Sequence, residues 1–317
     1  MTVRAEFADE TSDQGAFVRQ PNAFTDRITR DGSSGYKAVA GRYHLYVSLA
    51  CPWANRATIV RELLGLQDVI TMSVVDPIRD HRGWRFSEGP GHGLDPVNGF
   101  SYLSEAYLAT DPEFMGRHTV PCIWDRETSR LVTNDYPEIT TQFHLELRHL
   151  GTNPELDLYA TDLREEIDAM CDLLYDNVNN GVYKAGFATS QRAYERAFDA
   201  LFATLDDLDA RLASQRYLVG NRLTEADIRL FVTLVRFDAV YHTHFKCNLR
   251  RLVDYSYLWP YARDLYQRAG FGDTVDFDHI KRHYFGTHGH INPVGIVPKG
   301  PLVDWLEPHD RSGLGPA

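Results

Sequence analysis

The chain has 317 residues, 43% of them hydrophobic and 24% charged, with a formal net charge of −11. That is the composition of an ordinary globular protein long enough for two domains, each with its own core. No basic block offsets the acidity, which argues against a nucleic-acid partner, and no apolar run approaches the roughly 20 residues needed to span a bilayer, so no membrane partner is expected. The opening Met1 to Glu10 lacks the apolar stretch of a signal peptide. Four widely spaced cysteines, Cys51, Cys122, Cys171 and Cys247, do not read as a disulfide framework in a chain this long. A reducing cytoplasm is the expected home.

Residues 1–41 are polar and read as an extended arm or a cover over the first domain. The apolar run Tyr43 to Ala50 then ends at Cys51, and Cys51-Pro52-Trp53-Ala54-Asn55-Arg56-Ala57 reads as a strand turning into a helix that runs to about Leu64. A helix N-terminus offers unpaired N–H groups and the positive end of the macrodipole, so a sulfur placed there is stabilised as thiolate. Pro52 suits the first helical turn. Arg56 reads as a solvated surface residue unless its side chain folds back. Ala54 occupies the place of a resolving cysteine, so the chemistry implied is monothiol: Cys51 takes a small thiol as a mixed disulfide and a second small thiol releases it. The bland reading of Cys51, a buried inert thiol, is outweighed by the combination of strand, Cys-Pro pair and helix start.

The β-branched run Asp68 to Asp76 completes a βαβ unit. Residues 77–116 are interrupted by glycines and prolines and read as an insertion near the active site. Thr119 to Asp125 and Leu131 to Asn134 form a hairpin across a polar turn. Pro121 opens its first strand, and a proline facing a helix-start cysteine in a thioredoxin-like fold is typically cis, presenting the preceding backbone to a peptide-like ligand. Asn134-Asp135-Tyr136-Pro137-Glu138-Ile139 starts another helix, with Asp135 or Asn134 as its cap and N–H groups suited to a carboxylate.

From about residue 155 helical periodicity takes over. Leu163, Ile167, Met170 and Leu174 form one stripe, and Tyr194, Phe198, Leu201, Leu205, Leu208 and Leu212 another. Thr224-Glu225-Ala226-Asp227 reads as a capping box opening a buried helix. The expected organisation is an N-terminal arm (1–41), a thioredoxin-like α/β thiol-binding domain (42–150), an all-helical domain (151–290) and a C-terminal tail (291–317).

A thioredoxin-like first domain with a Cys-Pro helix start and a Val-Pro strand, followed by a helical domain whose central helix opens Leu-Thr-Glu-Ala-Asp-Ile, resembles the glutathione transferase superfamily. Ser48 to Ala54, Gly83-Trp84-Arg85-Phe86, Ile280 to Phe285 and Ile291 to Pro298 resemble its Xi class, the glutathionyl-hydroquinone reductases. The resemblance implies that Cys51 attacks the sulfur of a glutathionyl-hydroquinone, expels the hydroquinone and is freed by a second glutathione. It implies that Trp84 and Val120, beside Pro121, hold glutathione, and that Tyr183 and Tyr284 line the hydroquinone pocket and assist catalysis. Tyr241 is a weaker candidate for that pocket. The resemblance also implies a homodimer formed through the helical domain. Where the family has Glu-Ser at the helix after the hairpin, this chain has Asp135-Tyr136. A tyrosine there is expected to crowd the γ-glutamyl site, which opens the identity of the thiol: glutathione first, another low-molecular-weight thiol such as mycothiol second.

Two other readings stand beside this one: a glutaredoxin-like thiol-disulfide exchange enzyme sharing Cys51, and a non-catalytic protein that binds quinones or electrophiles. His242-x-His244 and His288-x-His290 lack the spacing of a four-ligand zinc site, so no metal is expected. No Gly-rich phosphate loop or dinucleotide fingerprint is present, so the reducing equivalents are expected from thiols, not from a nucleotide cofactor.

Overall fold

Strand formation begins earlier than the sequence suggested, inside the polar arm. The computed structural model describes residues 10–314; the first nine residues of the arm and the last three of the tail lie outside the described residues. β1 (Ile28–Thr29) and β2 (Tyr36–Lys37) pair in parallel. β3 (Tyr43–Val47) follows with every residue buried, as a central strand requires. The helix α1 (Pro52–Leu63) leads to β4 (Ile70–Val74), which lies parallel to β3 with Tyr43 opposite Ile70 and Val47 opposite Val74. After α2 (Leu103–Thr110), β5 (Cys122–Asp125) and β6 (Arg130–Thr133) form the expected hairpin. The sheet order is β4-β3-β5-β6, and α3 (Tyr136–Gln142) closes this part of the chain.

The chain divides into two compact units, and their limits differ from the boundaries expected from composition. The sheet unit is Pro21–Asp157 with Asp273–His283; the helical unit takes the chain up to Gln20, Leu158–Gly272 and the chain from Tyr284 onward. The arm is therefore shared, its residues from Pro21 belonging with the sheet.

Within the sheet unit, α1 is buried from Pro52 to Arg61, so its polar groups need internal partners. Asn55 donates to Thr274 Oγ1 at 2.8 Å, and Arg61 Nε donates to the Ile70 carbonyl at 2.7 Å. Arg42 grips the buried Asp125 with two bonds of 2.8 Å at the hairpin end. Within 77–116, read from sequence as an insertion interrupted by glycines and prolines, the structure places the helix α2. Glu105 reaches back to accept the Ser101 and Tyr102 amides at 2.9 and 2.8 Å, the acidic half of a capping box that the surrounding glycines and prolines masked.

A second correction concerns α3. Asp135 occupies the N-cap position but its side chain caps nothing there. The carboxylate accepts instead from Asn22 at 2.9 Å, and the Asn134 side chain accepts from the Phe24 amide and donates to Thr119, which turns both side chains toward partners outside the helix.

In the helical unit, α4 (Arg164–Leu174), α5 (Gly181–Gly186), α6 (Gln191–Leu212), α7 (Glu225–Arg236) and α8 (Leu258–Tyr266) follow in order, and α9 (Phe277–Thr287) contributes its residues from Tyr284. Ile167, Leu174, Leu201, Leu205, Leu208 and Leu212 are buried as the stripes predict, while Leu163, Met170, Tyr194 and Phe198 are half-buried. The capping box is present and does more than cap. The fully buried Asp227 accepts from the Thr224 amide and hydroxyl, the Leu218 amide and the Tyr261 hydroxyl, at 2.8 to 3.0 Å. Burial raises its carboxyl above the usual range despite these donors. The tail is irregular up to Arg311 and is fixed by Trp305 against Trp259 and Tyr266, and by Arg311 on the Leu212 and Arg216 carbonyls. Among the described residues no helix is long and apolar enough to cross a membrane.

Candidate active site

Cys51 sits at the N-cap of α1 in an extended conformation, with Pro52 opening the helix. Its amide donates to the Ser48 carbonyl at 3.1 Å and its carbonyl accepts the Asn55 amide at 3.0 Å, so both flanking turns fix the backbone that carries the thiol. The side chain is half-buried, and Sγ lies 3.4 Å from the Val120 carbonyl oxygen, to which the thiol donates. The Val120–Pro121 peptide is cis, as expected from sequence, and both residues are buried. A cysteine, the end of a helix and a Val-Pro backbone thus converge in one place.

The same sheet unit holds the ring pairs Trp53–Tyr136 and Trp84–His283, of which sequence reading assigned Tyr136 and Trp84 to the site. Arg56 is 1% exposed, so it is not the solvated surface residue expected. Its guanidinium folds back 4.6 Å from the centre of the Trp53 ring, which suits a weakly hydrated planar cation. Trp53 in turn meets the Tyr136 ring at 4.6 Å. Tyr136 is therefore laid against α1 instead of standing free. Burial raises the carboxyl of its neighbour Asp135. Trp84 is 5% exposed and stacks on His283 at 4.8 Å, and His283 Nδ1 donates to the Pro77 carbonyl at 2.8 Å. Trp53 and Arg56 stand three apart on one helix, a spacing that brings side chains together. His283 carried no such signal, being far from Trp84 in sequence.

In the helical unit, Tyr183 of α5, Tyr241 and Tyr284 of α9 share one hydrogen-bonded chain. The Tyr284 hydroxyl bonds that of Tyr183 and that of Tyr241, the latter at 3.1 Å. Tyr241, the weaker candidate, is thus an equal member, presented by a π-helical turn at Phe237–Tyr241; such turns recur at functional sites. Burial holds the Tyr241 and Tyr284 phenols well above their ordinary range, while the charge of the buried Arg236 opposes that. The histidine motifs pair across each other: His244 Nε2 lies 3.1 Å from His288 Nδ1. Among the described residues no group of three or more His, Cys, Asp or Glu side chains is placed to hold a metal ion.

This geometry has close relatives. The glutathione S-transferase N-terminal domain matches residues 50–141 and the C-terminal domain residues 191–264. Glutathionyl-hydroquinone reductase YqjG of Escherichia coli is 47% identical over 310 residues, covering 96% of this chain and 94% of the relative. The Xi-class transferase of Natrialba magadii has a TM-score of 0.90 at 45% identity, over 95% of this chain and 96% of that one. This chain belongs to the Xi class of glutathione transferases. The glutathione-bound structure of YqjG, 48% identical, gives a TM-score of 0.89 over 91% of this chain and 96% of its own. The mixed sheet with its helices and the helical domain after it are the transferase fold. Membership also makes the chain an enzyme, like its curated Xi-class relatives, and sets aside the non-catalytic binding protein.

Proposed function

We propose that this Xi-class enzyme removes glutathione, or a related low-molecular-weight thiol, from thiol–hydroquinone conjugates through a mixed disulfide on Cys51. The observation that carries the reading is Cys51 at the start of α1 with its sulfur 3.4 Å from the Val120 carbonyl beside cis-Pro121. The Cys51 thiolate attacks the thioether sulfur; the carbon–sulfur bond to the ring breaks, and its electron pair stays on the ring carbon, which takes a proton. Hydroquinone leaves and Cys51 is held in a disulfide with the thiol. A second thiolate attacks that disulfide, releasing the small-molecule disulfide and the Cys51 thiolate.

In this reading Trp84, Val120, Pro121, Asp135 and Tyr136 serve the thiol, and Tyr183, Tyr241 and Tyr284 serve the hydroquinone, whose oxygens and ring carbon need hydrogen-bond and proton donors. The buried Tyr136 ring, packed against Trp53 where the family resemblance implies a serine, is the observation that keeps mycothiol as a second candidate for the cosubstrate. The four cysteines form no disulfide, which suits a reducing cytoplasm, and the family resemblance supports a homodimer.

The test is intact-mass analysis after exposure to oxidised glutathione or mycothiol disulfide, with the adduct mapped by peptide. An adduct on Cys51 with one thiol, and turnover of that thiol's hydroquinone conjugate, is the expected result. Disulfide exchange without any turnover of a conjugate would leave the glutaredoxin-like reading in its place.

A further inference from the structure

The arm preceding Pro21 belongs to the helical unit, and it is built as a closed loop. The Val18 amide donates to the Glu10 carbonyl at 2.7 Å, and the Gln20 amide to the Glu10 carboxylate at 2.9 Å. This loop holds the residues that flank α5, the helix that carries Tyr183, at both of its ends, and reaches the Tyr183 ring itself. Past the C-terminal end of α5, the Thr189 amide donates to the Gly15 carbonyl at 2.9 Å and the Ser190 hydroxyl to the Gln14 carbonyl at 2.7 Å. Phe17, 4% exposed, meets the Phe187 ring edge-on at 5.3 Å. At the N-terminal end, Arg19 Nε donates to Asn180 Oδ1 at 3.0 Å, and its guanidinium lies 5.0 Å from the centre of the Tyr183 ring.

α5 needs such support. It has six residues and includes Gly181 and Gly186, and a helix that short, with glycines, has little stability of its own. A guanidinium on an aromatic face is attracted to the ring electrons and fixes the ring's tilt. It also draws density from the phenol oxygen, which makes the O–H a stronger donor.

We propose that the loop from Glu10 to Gln20 is a strap that positions Tyr183, with Arg19 as the positioning residue acting on its phenol. The inference rests on the reading above that Tyr183 meets the hydroquinone. Its consequence is selective: losing the strap impairs the conjugate reaction and spares thiol-disulfide exchange at Cys51, which asks nothing of Tyr183.

Two variants remove the strap by different routes. Arg19→Gln deletes the cation. Gly15→Ala acts through packing, because Gly15 has φ +76° and an added Cβ would come within 2.8 Å of Thr189 Oγ1 and 2.9 Å of the Ser190 amide nitrogen. Hydrogen exchange of the 181–187 amides is measured on the full chain, with kcat/KM for glutathionyl-hydroquinone and for the mixed disulfide of glutathione with 2-mercaptoethanol. Faster exchange, a loss of about tenfold on the conjugate and less than about twofold on the disulfide are expected. In a Tyr183→Phe background, Arg19→Gln should add less than about twofold to the loss on the conjugate. Unchanged exchange in both variants, equal losses on both substrates, or an undiminished Arg19→Gln effect beside Tyr183→Phe would each overturn the proposal. A wild-type enzyme inert toward the conjugate would instead sink the functional reading, and the exchange data would still decide whether the strap holds α5.

Discussion

The Cys51 thiol donates to the carbonyl of Val120 at 3.4 Å, so the proposed nucleophile occupies the backbone acceptor proposed to hold the thiol substrate. Ionisation of Cys51 removes that donor and leaves the Val120 carbonyl to a ligand's amide. In the proposed mechanism this couples thiol binding and activation of Cys51 through a single oxygen. Cys51→Ala should abolish both turnover and the mixed disulfide, while Cys51→Ser, which keeps a donor in place, should lose turnover and still bind the small thiol. Intact mass and calorimetric titration read the two properties separately. Activity surviving in Cys51→Ala would remove the mechanism altogether.

Tyr284 occupies the middle of the tyrosine chain, bonded to Tyr183 on one side and Tyr241 on the other. Tyr284→Phe divides the chain and leaves two hydroxyls short of a partner, at a cost of about 1–3 kcal/mol in stability. Turnover of the hydroquinone conjugate should fall by about a hundredfold, the size of a general-acid contribution, with a much smaller effect on small mixed disulfides. Equal losses on the two substrates would count against a role in protonating the departing ring.

Asp135-Tyr136 is where this chain departs from the Glu-Ser that the family resemblance implies. Tyr136 is 9% exposed and packed on Trp53, so the pair Asp135→Glu, Tyr136→Ser opens space and lengthens the acid. The KM for glutathione should fall several-fold, at a stability cost of about 1 kcal/mol for the lost aromatic contact. Tyr136→Phe, which keeps the ring contact with Trp53, should leave that KM unchanged. A paired variant no better with glutathione than the wild type would show that the ring does not crowd the γ-glutamyl end.

The parts of this molecule visible in its sequence are those decided by neighbours along the chain. The β3-α1-β4 unit, the hairpin with Pro121 and the Thr224–Asp227 box follow from period, β-branching and capping chemistry acting within a few residues. Arg56 was misjudged because its partner choice depends on how deeply α1 is buried, which its own sequence, mixed polar and apolar on every face, does not declare. α2 was hidden by the glycines around it, and the short β1–β2 ladder by polar composition. Tyr241 became an equal of Tyr284 only through a π-helical turn, a one-residue change of register with no sequence signal here. Trp84 on His283 and Arg19 on Tyr183 join residues distant in sequence, where local pattern says nothing.

His44 is a strand histidine that cannot easily accept a second proton. It lies on β3, 0% exposed, with Nδ1 2.6 Å from Thr71 Oγ1 and Nε2 2.8 Å from Ser73 Oγ. Burial pulls its pKa from 6.5 down to about 4. The unfolded chain therefore binds this proton at a higher pH than the folded one, and stability falls as pH drops from about 6.5 to about 4. The loss from this residue approaches about 3 kcal/mol at the bottom of that window. His244, also lowered to about 4 by burial, adds to it in the same direction. His44→Asn removes one of these contributions and can still hydrogen-bond Thr71 or Ser73. Urea denaturation between roughly pH 7 and pH 4.5 should show a shallower decline of stability in the variant, by close to one proton's worth of slope. An unaltered slope would mean that His44 does not remain neutral in the folded protein over this range.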